Sequence, residues 1–550
     1  MKFIIITGGV LSGLGKGVTA ASLGFLLKGL GFRVTAMKCD MYLNIDAGTM
    51  NPVEHGEVFV THDGVETDQD LGHYERFLNI ILTKDNYVTN GQVYKAVLDK
   101  ERQLVYEGKC VEPYHHIPPE IIDRWYKAGL IHKSDIVIVE LGGTVGEYEG
   151  LLFMESVRRL KLKVPDDVVL VHVGYLPTPP SIGELKSKPL QQSVSLLNSV
   201  GLQPDFIIGR AEKEIDLKRK EKIFLATGVA MENIISNPDL ETIYKVPLVL
   251  EKQKFHLKVI RKLKLKPKKT PNFSKWNALL NNFEKAKGSE VKIAIVGKYQ
   301  KTGDYTLEDS YISVVESLKH AAWRFKHQPK IVWIDSEKLE TINAKDIPNV
   351  FAGAKGIIVP QGWGKRGVEG KIKAANYARN SKVPYLGLCF GMQMATIEFA
   401  RNAAGLKGAN SEEVDPKTPY PVIHIMPNQR AYLEKQQYGA TIRLGAWPCV
   451  LKKGTKLYDA YKRYGGVKNS PNLIYERHRH RFEFNLKYKK LLQKKGFVIC
   501  GVSPDGKLVE AIEVGNHPFY VGTQFHPEYI STPLFPHPVF MAFLKACLAK

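Results

Sequence analysis

Short apolar runs, many of them β-branched, alternate along the chain with longer stretches whose apolar residues recur at helical spacing. In the first half these runs are KFIIIT, RVTAMK, DIVIVE, DVVLVHV and DFIIGR, and in the second they are VKIAIV, KIVWID, GIIVP, PYLGLC and FYVGTQF. Near-continuous apolar runs are typical of strands that are covered on both faces. The pattern predicts an α/β fold in two domains, each with a mainly parallel sheet flanked by helices, and places ligands at the carboxyl ends of the strands.

The character of the sequence changes between Lys262 and Glu290. This stretch is basic, contains two prolines and has one short helical pattern, SKWNALLNNFEKA, before the next apolar strand begins at Val291. Such a stretch between two periodic regions is typical of a linker. The sequence predicts an N-terminal domain over 1–265, a basic linker over 266–290 and a C-terminal domain over 291–550.

The lengths of the apolar runs and the spacing of the cysteines argue against a membrane-spanning, secreted or disulfide-linked protein. No run approaches the ~20 apolar residues that a membrane span needs, and the opening MKFIIITGG is too short for a signal peptide. The six cysteines include no C-x-x-C pair, which favours free thiols over disulfides or a zinc site. We therefore expect a cytoplasmic protein that does not bind membranes.

The chain carries 78 Lys and Arg against 56 Asp and Glu, a net charge of +22. The cations are spread out, and the densest runs, RKLKLKPKK and KYKKLLQKK, are not interleaved with aromatic residues as a base-stacking surface would be. We interpret the excess as a solvated basic surface and expect no nucleic-acid partner.

The stretch from Ile4 to Ser22, IIITGGVLSGLGKGVTAAS, resembles a phosphate-binding loop but departs from G-x-x-x-x-G-K-[ST]. Val10 stands where the first glycine belongs, and Gly17 follows Lys16 in place of Ser or Thr. The stretch nevertheless lies between a strand and a helical pattern, where backbone N–H groups favour an anion. A glycine turn without a ligand is the alternative interpretation.

Charged residues near the ends of later strands fit chemistry on a magnesium-bound nucleotide. Lys38 ends the second strand, Asp68 and Asp70 lie in ETDQDLGHYERF, and Glu140 ends IVIVE. An acid at a strand end beside a phosphate loop is a usual Mg²⁺ ligand. Each acid alone fits a surface charge or a helix cap equally well.

The stretch PYLGLCFGMQ predicts a nucleophile. Cys389 directly follows an apolar strand and lies between Gly387 and Gly391, which permit the strained strand-to-helix turn of a nucleophile elbow. The helix N-terminus that follows favours the thiolate, and the N–H of Phe390 is a candidate oxyanion donor. A buried structural cysteine is the alternative.

The stretch QFHPEY supplies a base for that thiol. His526 and Glu528 are two residues apart, so an extended backbone puts both side chains on one face. His526 then takes the thiol proton, and Glu528 fixes the imidazole tautomer.

The stretch ERHRHRFEF alternates in the same way. An extended chain places Arg477, Arg479 and Arg481 on one face, which suits an anion or a carboxylate, and His478, His480 and Phe482 on the other. A metal site at the two histidines lacks an evident third ligand.

At this point the sequence resembles a known family. The blocks GGVLSGLGKG, MKCDMYLNIDAGTMNPVEHGEVFVTHDGVETDQDLGHYERF, VELGGTVGE and GELKSKPLQQSV are similar to CTP synthases, whose modified phosphate loop has this longer spacing. The Cys–His–Glu order with its flanks resembles class I glutamine amidotransferases. The resemblance covers essentially the whole chain apart from the linker, and implies a P-loop amidoligase domain fused to a glutaminase domain.

The resemblance implies ligand sites at matching positions of the first domain. For ATP these are Gly13, Leu14, Gly15, Lys16, Gly17, Val18, Lys38, Asp70, Asp239, Leu240 and Glu241. For UTP or CTP they are Ser12, Glu147, Tyr148, Glu149, Lys186, Ser187, Lys188, Pro189, Leu190, Gln191 and Lys222. For Mg²⁺ they are Asp70 and Glu140. The family usually has threonine in place of Ser187 and Leu190.

For glutamine the resemblance implies Gly362, Phe390, Gly391, Met392, Gln393, Glu413 and Arg481. Gly362 would provide the second oxyanion N–H in the stretch VPQGWGKRG. The family commonly reads P-G-G-F-G, so Gln361 and Trp363 are departures. If residue 361 needs a positive φ, Gln361 would cost about 1–3 kcal/mol of strain.

The implied reaction is the ATP-dependent amination of UTP at C4 to CTP, through a 4-phosphorylated UTP and a glutamyl thioester. The resemblance also implies activation by GTP, feedback by CTP, a homotetramer, and His55 in a segment that lines the ammonia route. Two rival hypotheses are a glutamine-dependent amidoligase acting on a carboxylate, and a nucleic-acid-binding or filament-forming protein whose sites have decayed.

Overall fold

The computed structural model describes residues 1–299, 301–302, 305–306, 309–435, 439–465 and 472–549. The chain forms two compact units, one made of 1–46 and 70–274 and the other of 47–69 and 275–550. A linear reading of the sequence does not foresee that residues 47–69 pack with the C-terminal unit. The basic stretch is divided between the units, and its predicted helix is present as Ser274–Ala286.

A fully parallel sheet of seven strands forms the centre of the first unit, all of whose residues are described. In spatial order its strands are Tyr87–Thr89, Val34–Asp40, Ile136–Leu141, Lys2–Gly8, Val168–Leu176, Phe206–Ala211 and Ile234–Pro238. The five strands predicted from apolar runs are confirmed. The two edge strands, Tyr87–Thr89 and Ile234–Pro238, are additional.

Helices flank this sheet and bury its apolar residues. They are Lys16–Gly29, Asp70–Leu78, Asn90–Arg102, Pro113–Ile131, Leu151–Lys163, Lys188–Ser199, Leu217–Thr227, Val246–Lys252 and Phe255–Lys262. Short 3₁₀ turns lie at Lys84–Asn86, Tyr148–Gly150, Pro165–Asp167, Met231–Asn233 and Ile243–Lys245. One core cluster joins Trp125 of a flanking helix to strand residues such as Val139 and Leu170.

The main sheet of the second unit has nine strands among its described residues. In spatial order they are Gln328–Asp335, Glu290–Gly297, Gly356–Val359, Tyr385–Leu388, Tyr520–Thr523, Val509–Val514, Phe497–Val502, Arg443–Leu451 and Leu473–His480. The first five strands run parallel to one another, as predicted. The remaining pairings are antiparallel, so the expectation of a mainly parallel sheet is right for only half of it. Short turns, rather than helices, join strands such as Phe497–Val502 and Val509–Val514.

The second unit also contains a set of helices, of which Ile312–Arg324, Val368–Asn380 and Phe390–Asn402 pack against the main sheet. The helices of the set are Pro52–His55, Ser274–Ala286, Ile312–Arg324, Ser336–Thr341, Ile347–Val350, Val368–Asn380, Phe390–Asn402, Pro427–Glu434, Lys456–Tyr464, Lys489–Gln493 and Pro538–Leu548, with 3₁₀ turns at Asp309–Tyr311, Ala344–Asp346, Leu486–Tyr488 and Pro527–Ile530. Smaller sheets join Ala409–Ser411, Tyr420–Ile425 and Phe482–Phe484, pair Phe59–Val60 with Glu66–Thr67, and pair Lys301–Thr302 with Tyr305–Thr306. Among the described residues, no helix has both the length and the apolar character to cross a bilayer.

Specific contacts hold residues 47–69 within the second unit. Arg477 donates to the carbonyl of Val60 at 3.0 Å, and Arg479 pairs with Glu66 at 2.7 Å. The Tyr529 hydroxyl donates to the carbonyl of Val58 at 3.0 Å. Two of the three predicted arginines therefore bind the inserted segment.

Shortening a core residue of the first sheet tests this packing. Ile138 is fully buried in a central strand, so Ile138→Ala removes apolar contacts and leaves a cavity. We expect a loss of about 2–5 kcal/mol, seen as a lower midpoint for the first unit in thermal unfolding. The matched control Ile81→Ala, at a side chain that is 56% exposed, should change the midpoint little. Equal shifts in the two variants would contradict the assigned core.

Candidate active sites

The glycine-rich loop of the first unit connects strand Lys2–Gly8 to helix Lys16–Gly29. Gly13 and Gly15 have φ of 73° and 81°, in the left-handed region that glycine adopts without strain. A Cβ at Gly17 would lie 2.1 Å from Oδ1 of Asp70, so Ser or Thr at this position would require the Asp70 carboxylate to move. The absence of a side chain at Gly17 allows the Asp70 carboxylate to approach the start of this helix closely.

Lys16 lies at the start of this helix with its side chain buried. Its Nζ donates to the carbonyl of Gly143 at 2.6 Å. Burial lowers the pKa of Lys16, opposed mainly by the nearby charge of Glu140. An anion beside this ammonium would stabilise its charge, because burial has removed it from water.

A cluster of charged residues surrounds Lys38, where two parallel strands place Lys38 and Glu140 in register. The Lys38 ammonium contacts Asp70, lies 3.3 Å from Oε1 of Glu140 and lies 3.7 Å from Asp40. Burial and then the charge of Asp70 raise the pKa of the Glu140 carboxyl. Asp40 also belongs to this cluster, although the sequence analysis did not select it. Asp68 lies instead in the second unit, 3.3 Å from His55.

The residues that the resemblance assigns to UTP or CTP differ in how far their side chains are exposed to solvent. Lys188 and Lys222 are exposed, Ser187 precedes helix Lys188–Ser199, and Ser12 and residues 147–149 are exposed. Leu190 differs, because its side chain is fully buried in an apolar cluster with Leu176 and Ile207. That side chain offers no surface to a ligand.

The adenine-side residues Asp239, Leu240 and Glu241 follow strand Ile234–Pro238. Arg210 pairs with Asp239 at 2.8 Å, and its Nε lies 3.9 Å from the position of a Cβ at Gly15. Arg210 thus lies between this segment and the glycine loop.

The candidate nucleophile of the second unit has a strained backbone. Cys389 has φ 50° and ψ −100° between strand Tyr385–Leu388 and helix Phe390–Asn402. A Cβ at Gly391 would lie 1.9 Å from the carbonyl oxygen of Val359, and a Cβ at Gly387 would lie 2.7 Å from backbone atoms of Gly391. Both glycines are therefore required for the tight turn that presents the thiol.

His526 and Glu528 are buried beside this thiol. Nδ1 of His526 lies 2.8 Å from Oε1 of Glu528, while Nε2 has no hydrogen-bond partner among the described residues. Burial alone would lower the pKa of His526, but the charges of Glu528 and Cys389 outweigh it and raise the pKa to about 10. The two side chains meet through a 3₁₀ turn that begins at Pro527, not through the extended backbone that the spacing suggested.

A small cavity opens at Cys389. It is lined by Gln361, Gly362, Trp363, Cys389, Phe390, Gln393, Glu413, Arg479, His480, Arg481, Phe482 and His526. Gln393 donates to the carbonyl of Phe482 at 3.0 Å, and its own Oε1 has no partner among the described residues. Burial raises the pKa of Glu413, whose Oε1 accepts from the N–H of Gly364 at 2.6 Å.

Two predicted glutamine contacts differ from the rest. Met392 is fully buried in the core, and Gly391 packs against Val359 at the turn, so neither lines the cavity. Gln361 is not among the described non-glycine residues with positive φ. The backbone strain that a positive φ would cause at this position is therefore absent.

Arginines and histidines alternate along strand Leu473–His480 as predicted. The two histidines are buried and contact each other and nearby carboxylates. Nδ1 of His478 lies 2.8 Å from Nε2 of His480, and both rings are buried near Glu510 and Glu483. Burial, then the charge of Arg443, lowers the pKa of both histidines well below the usual value. No group of three or more potential metal ligands is found in the described parts of the chain.

Comparison with known proteins assigns the family. Residues 2–265 match the family model of the CTP synthase N-terminus, and residues 306–546 match that of class-I glutamine amidotransferases. A CTP synthase of Caldanaerobacter subterraneus subsp. tengcongensis is 50% identical over 100% of this chain and 98% of its own length. A CTP synthase of Sulfolobus acidocaldarius is 50% identical over the full length of both chains.

Among solved structures, the glutaminase domain of Trypanosoma brucei CTPS with bound acivicin is 37% identical. It matches 47% of this chain and 94% of its own, with a TM-score of 0.42. The two family matches and the full-length relatives establish the assignment: this chain belongs to the CTP synthase family of glutamine-dependent amidoligases.

Proposed function

We propose that the cavity at Cys389 hydrolyses glutamine and that the glycine-loop site uses the released ammonia to aminate UTP. The observation that carries the proposal is the strained Cys389 beside the buried His526–Glu528 pair. In this proposal residues 1–265 form the amidoligase domain, 266–290 the linker and 291–550 the glutaminase domain.

The geometry supports a thioester mechanism. The Cys389 thiolate attacks the amide carbon of glutamine, and the carbonyl electron pair moves to oxygen, where the N–H groups of Gly362 and Phe390 stabilise it. His526 gives its proton to the departing nitrogen, so ammonia leaves and a glutamyl thioester remains. His526 then takes a proton from water, which attacks the thioester and releases glutamate and the thiol.

Glutamine itself has suitable partners in the cavity. The unpartnered Oε1 of Gln393 is an acceptor, while the buried carboxylate of Glu413 and the guanidinium of Arg481 suit the ammonium and carboxylate of an amino acid. Phe390, Gly391 and Met392 support the site through the turn that they build.

In the first unit, the glycine loop and Lys16 would bind the ATP phosphates, with Lys38 nearby and residues 239–241 at the adenine side. Transfer of the γ-phosphoryl group to O4 of UTP turns a poor leaving group into phosphate. Ammonia then adds to C4, and phosphate departs to leave CTP. Ser12, residues 147–149, residues 186–191 and Lys222 would bind the pyrimidine nucleotide, with Leu190 contributing only through packing or its backbone.

The residues present fit a magnesium ion. Asp70 and Glu140 approach the same Lys38 ammonium, and burial followed by the charge of Asp70 raises the pKa of Glu140, so a cation beside the two carboxylates would stabilise their charge. Bound with the ATP phosphates, Mg²⁺ would neutralise charge that develops on the transferred group. Activation by GTP, feedback by CTP and a homotetramer are proposed from the family resemblance alone.

Changing the nitrogen source tests whether glutamine hydrolysis and UTP amination take place at separate sites. Cys389→Ala should lower glutamine-dependent CTP synthesis by about a thousandfold or more, because the nucleophile is lost. Synthesis with ammonium should stay within about twofold, and Cys110→Ala, at an exposed thiol, should change neither rate. Equal loss with both nitrogen sources would contradict the proposal.

The phosphate role of Lys16 gives a second prediction. Lys16→Ala should lower synthesis from glutamine and from ammonium alike, by about a hundredfold or more, because both need the activated UTP. Lys28→Ala, at the opposite end of the same helix, is the control. Normal ammonium-dependent synthesis by Lys16→Ala would exclude the proposed ATP contact.

The pKa of His526 gives a pH-dependent prediction. With a pKa near 10 the imidazole stays protonated at pH 8 and favours the Cys389 thiolate. In Glu528→Gln the carboxylate charge is lost, burial then dominates, and the pKa of His526 falls. Alkylation of Cys389 by iodoacetamide at pH 8 should slow by about tenfold and recover only at higher pH. Glu290→Gln, at an exposed carboxylate, is the control, and an unchanged pH profile in Glu528→Gln would contradict this role.

A further inference from the structure

Two buried lysines lie close to Gly362, and no sequence motif distinguishes them from the other lysines of the chain. Lys298 follows strand Glu290–Gly297, and Lys371 lies in the first turn of helix Val368–Asn380. A Cβ at Gly362 would lie 3.5 Å from Nζ of Lys298 and 3.4 Å from Nζ of Lys371. The amino groups of two lysines therefore lie beside the proposed oxyanion donor.

Lys371 binds the backbone just before Gly362. Its Nζ donates to the carbonyl of Pro360 at 2.8 Å and to that of Gln361 at 3.2 Å. In a trans peptide the carbonyl of one residue and the N–H of the next point in opposite directions. Because Lys371 fixes the Gln361 carbonyl, it also fixes the direction of the Gly362 N–H, which points away from the ammonium.

Lys298 binds the backbone just after Gly362. Its Nζ donates to the carbonyls of Trp363, Gly364 and Arg366, the last two at 3.2 Å. The N–H groups of Trp363 and Gly364 are also engaged, by the Tyr299 hydroxyl and by Glu413. In the described part of the chain, the N–H of Gly362 has no such partner.

Burial disfavours the charged form of both lysine side chains. Burial lowers the pKa of Lys298 to about 8 and lowers the pKa of Lys371 well below its usual value, and the mutual repulsion of the two adds to the shift of Lys371. Glu413, Glu337 and Glu340 partly offset this at Lys298, whereas Arg366 opposes them. Both ammonium groups also lie near the Phe390 ring, at 4.8 and 5.4 Å. Because burial disfavours the charged form of both side chains, their effect on Gly362 comes from the five carbonyls that they hold in place.

We propose that Lys298 and Lys371 are positioning residues that hold loop 360–366 with the Gly362 N–H directed at the reacting carbonyl oxygen. The inference rests on the proposed glutaminase mechanism. It assigns the two lysines no contact with glutamine itself, so their effect belongs to the tetrahedral intermediate and not to substrate binding.

The test compares Lys298→Met and Lys371→Met with a matched lysine. Lys373, two residues further along the same helix, also donates to three backbone carbonyls, those of Leu339, Glu340 and Ile342, but they belong to a different loop. Lys373→Met therefore removes the same kind of contact away from Gly362. Thermal unfolding and ammonium-dependent CTP synthesis check that each variant is folded and active at the other site.

We expect each of Lys298→Met and Lys371→Met to lower the glutaminase kcat by about 10–100-fold, with the KM for glutamine within about threefold. Glutamate γ-semialdehyde, an aldehyde analogue whose carbonyl becomes an oxyanion when the thiolate adds, should bind these variants more weakly by a similar factor. Lys298→Arg keeps the charge and several donors, and should recover part of the loss. Lys373→Met should resemble the unaltered protein in all three measurements.

Several results would overturn the inference. They are an unchanged kcat in both methionine variants, an effect on KM alone, or an equal loss of kcat in Lys373→Met. If Lys371→Met does not fold, Lys298→Met and Lys298→Arg decide the question by the same criteria. Cys389→Ala separates this inference from the mechanism: if it abolishes glutaminase activity while the lysine variants keep theirs, only the role of the lysines fails.

Discussion

The turn that presents Cys389 depends on the close approach of strand Tyr385–Leu388 to helix Phe390–Asn402. Cys389 occupies a backbone conformation that costs of order 1–3 kcal/mol, and it is kept there because Gly387 and Gly391 allow backbone contacts that no side chain would permit. The apolar clusters on both faces of the sheet hold the strand and the helix in place. The core therefore holds the turn that presents the thiol, and the Cys389 Sγ also contacts the carbonyl of Arg479 at 3.7 Å and the Gln524 amide at 3.5 Å.

Both candidate sites lie where parallel strands end, because the carboxyl ends of parallel strands all lie along one edge of the sheet. In the first unit the register of two strands brings Lys38 beside Glu140, and the glycine loop leaves the adjacent strand at the same edge. In the second unit the parallel half carries Lys298, Cys389 and the Gly362 loop after neighbouring strands. Both edges include buried charged or ionisable side chains, such as Lys38, Glu140 and Lys298, and a buried charge needs a carboxylate, a carbonyl or a ligand beside it.

The features that could be predicted from the sequence are those with a local signal. Continuous apolar runs identified the parallel strands except the two edge strands of the first sheet, Tyr87–Thr89 and Ile234–Pro238, and glycine spacing identified the turns at Lys16 and Cys389. The antiparallel half was missed because segments such as RLGAWPCVL and LIYERHRH contain charges or a proline and form no continuous apolar run. Lys298 and Lys371 resemble any of the chain's many lysines, since only the tertiary structure buries them. The grouping of residues 47–69 likewise depends on partners more than 400 positions away, such as Arg479 for Glu66.

The salt bridge between Arg479 and Glu66 has a practical consequence for how the protein is divided. A fragment that starts at the linker keeps the sheet and the Cys389–His526–Glu528 group, but it lacks Glu66 and the Val60 carbonyl. It would leave Arg479, a buried guanidinium that also lines the cavity at Cys389, without its carboxylate, and an unpaired buried charge is strongly destabilising. Kinetic constants measured on such an excised half would describe an altered cavity, so only the intact polypeptide reports the native glutaminase.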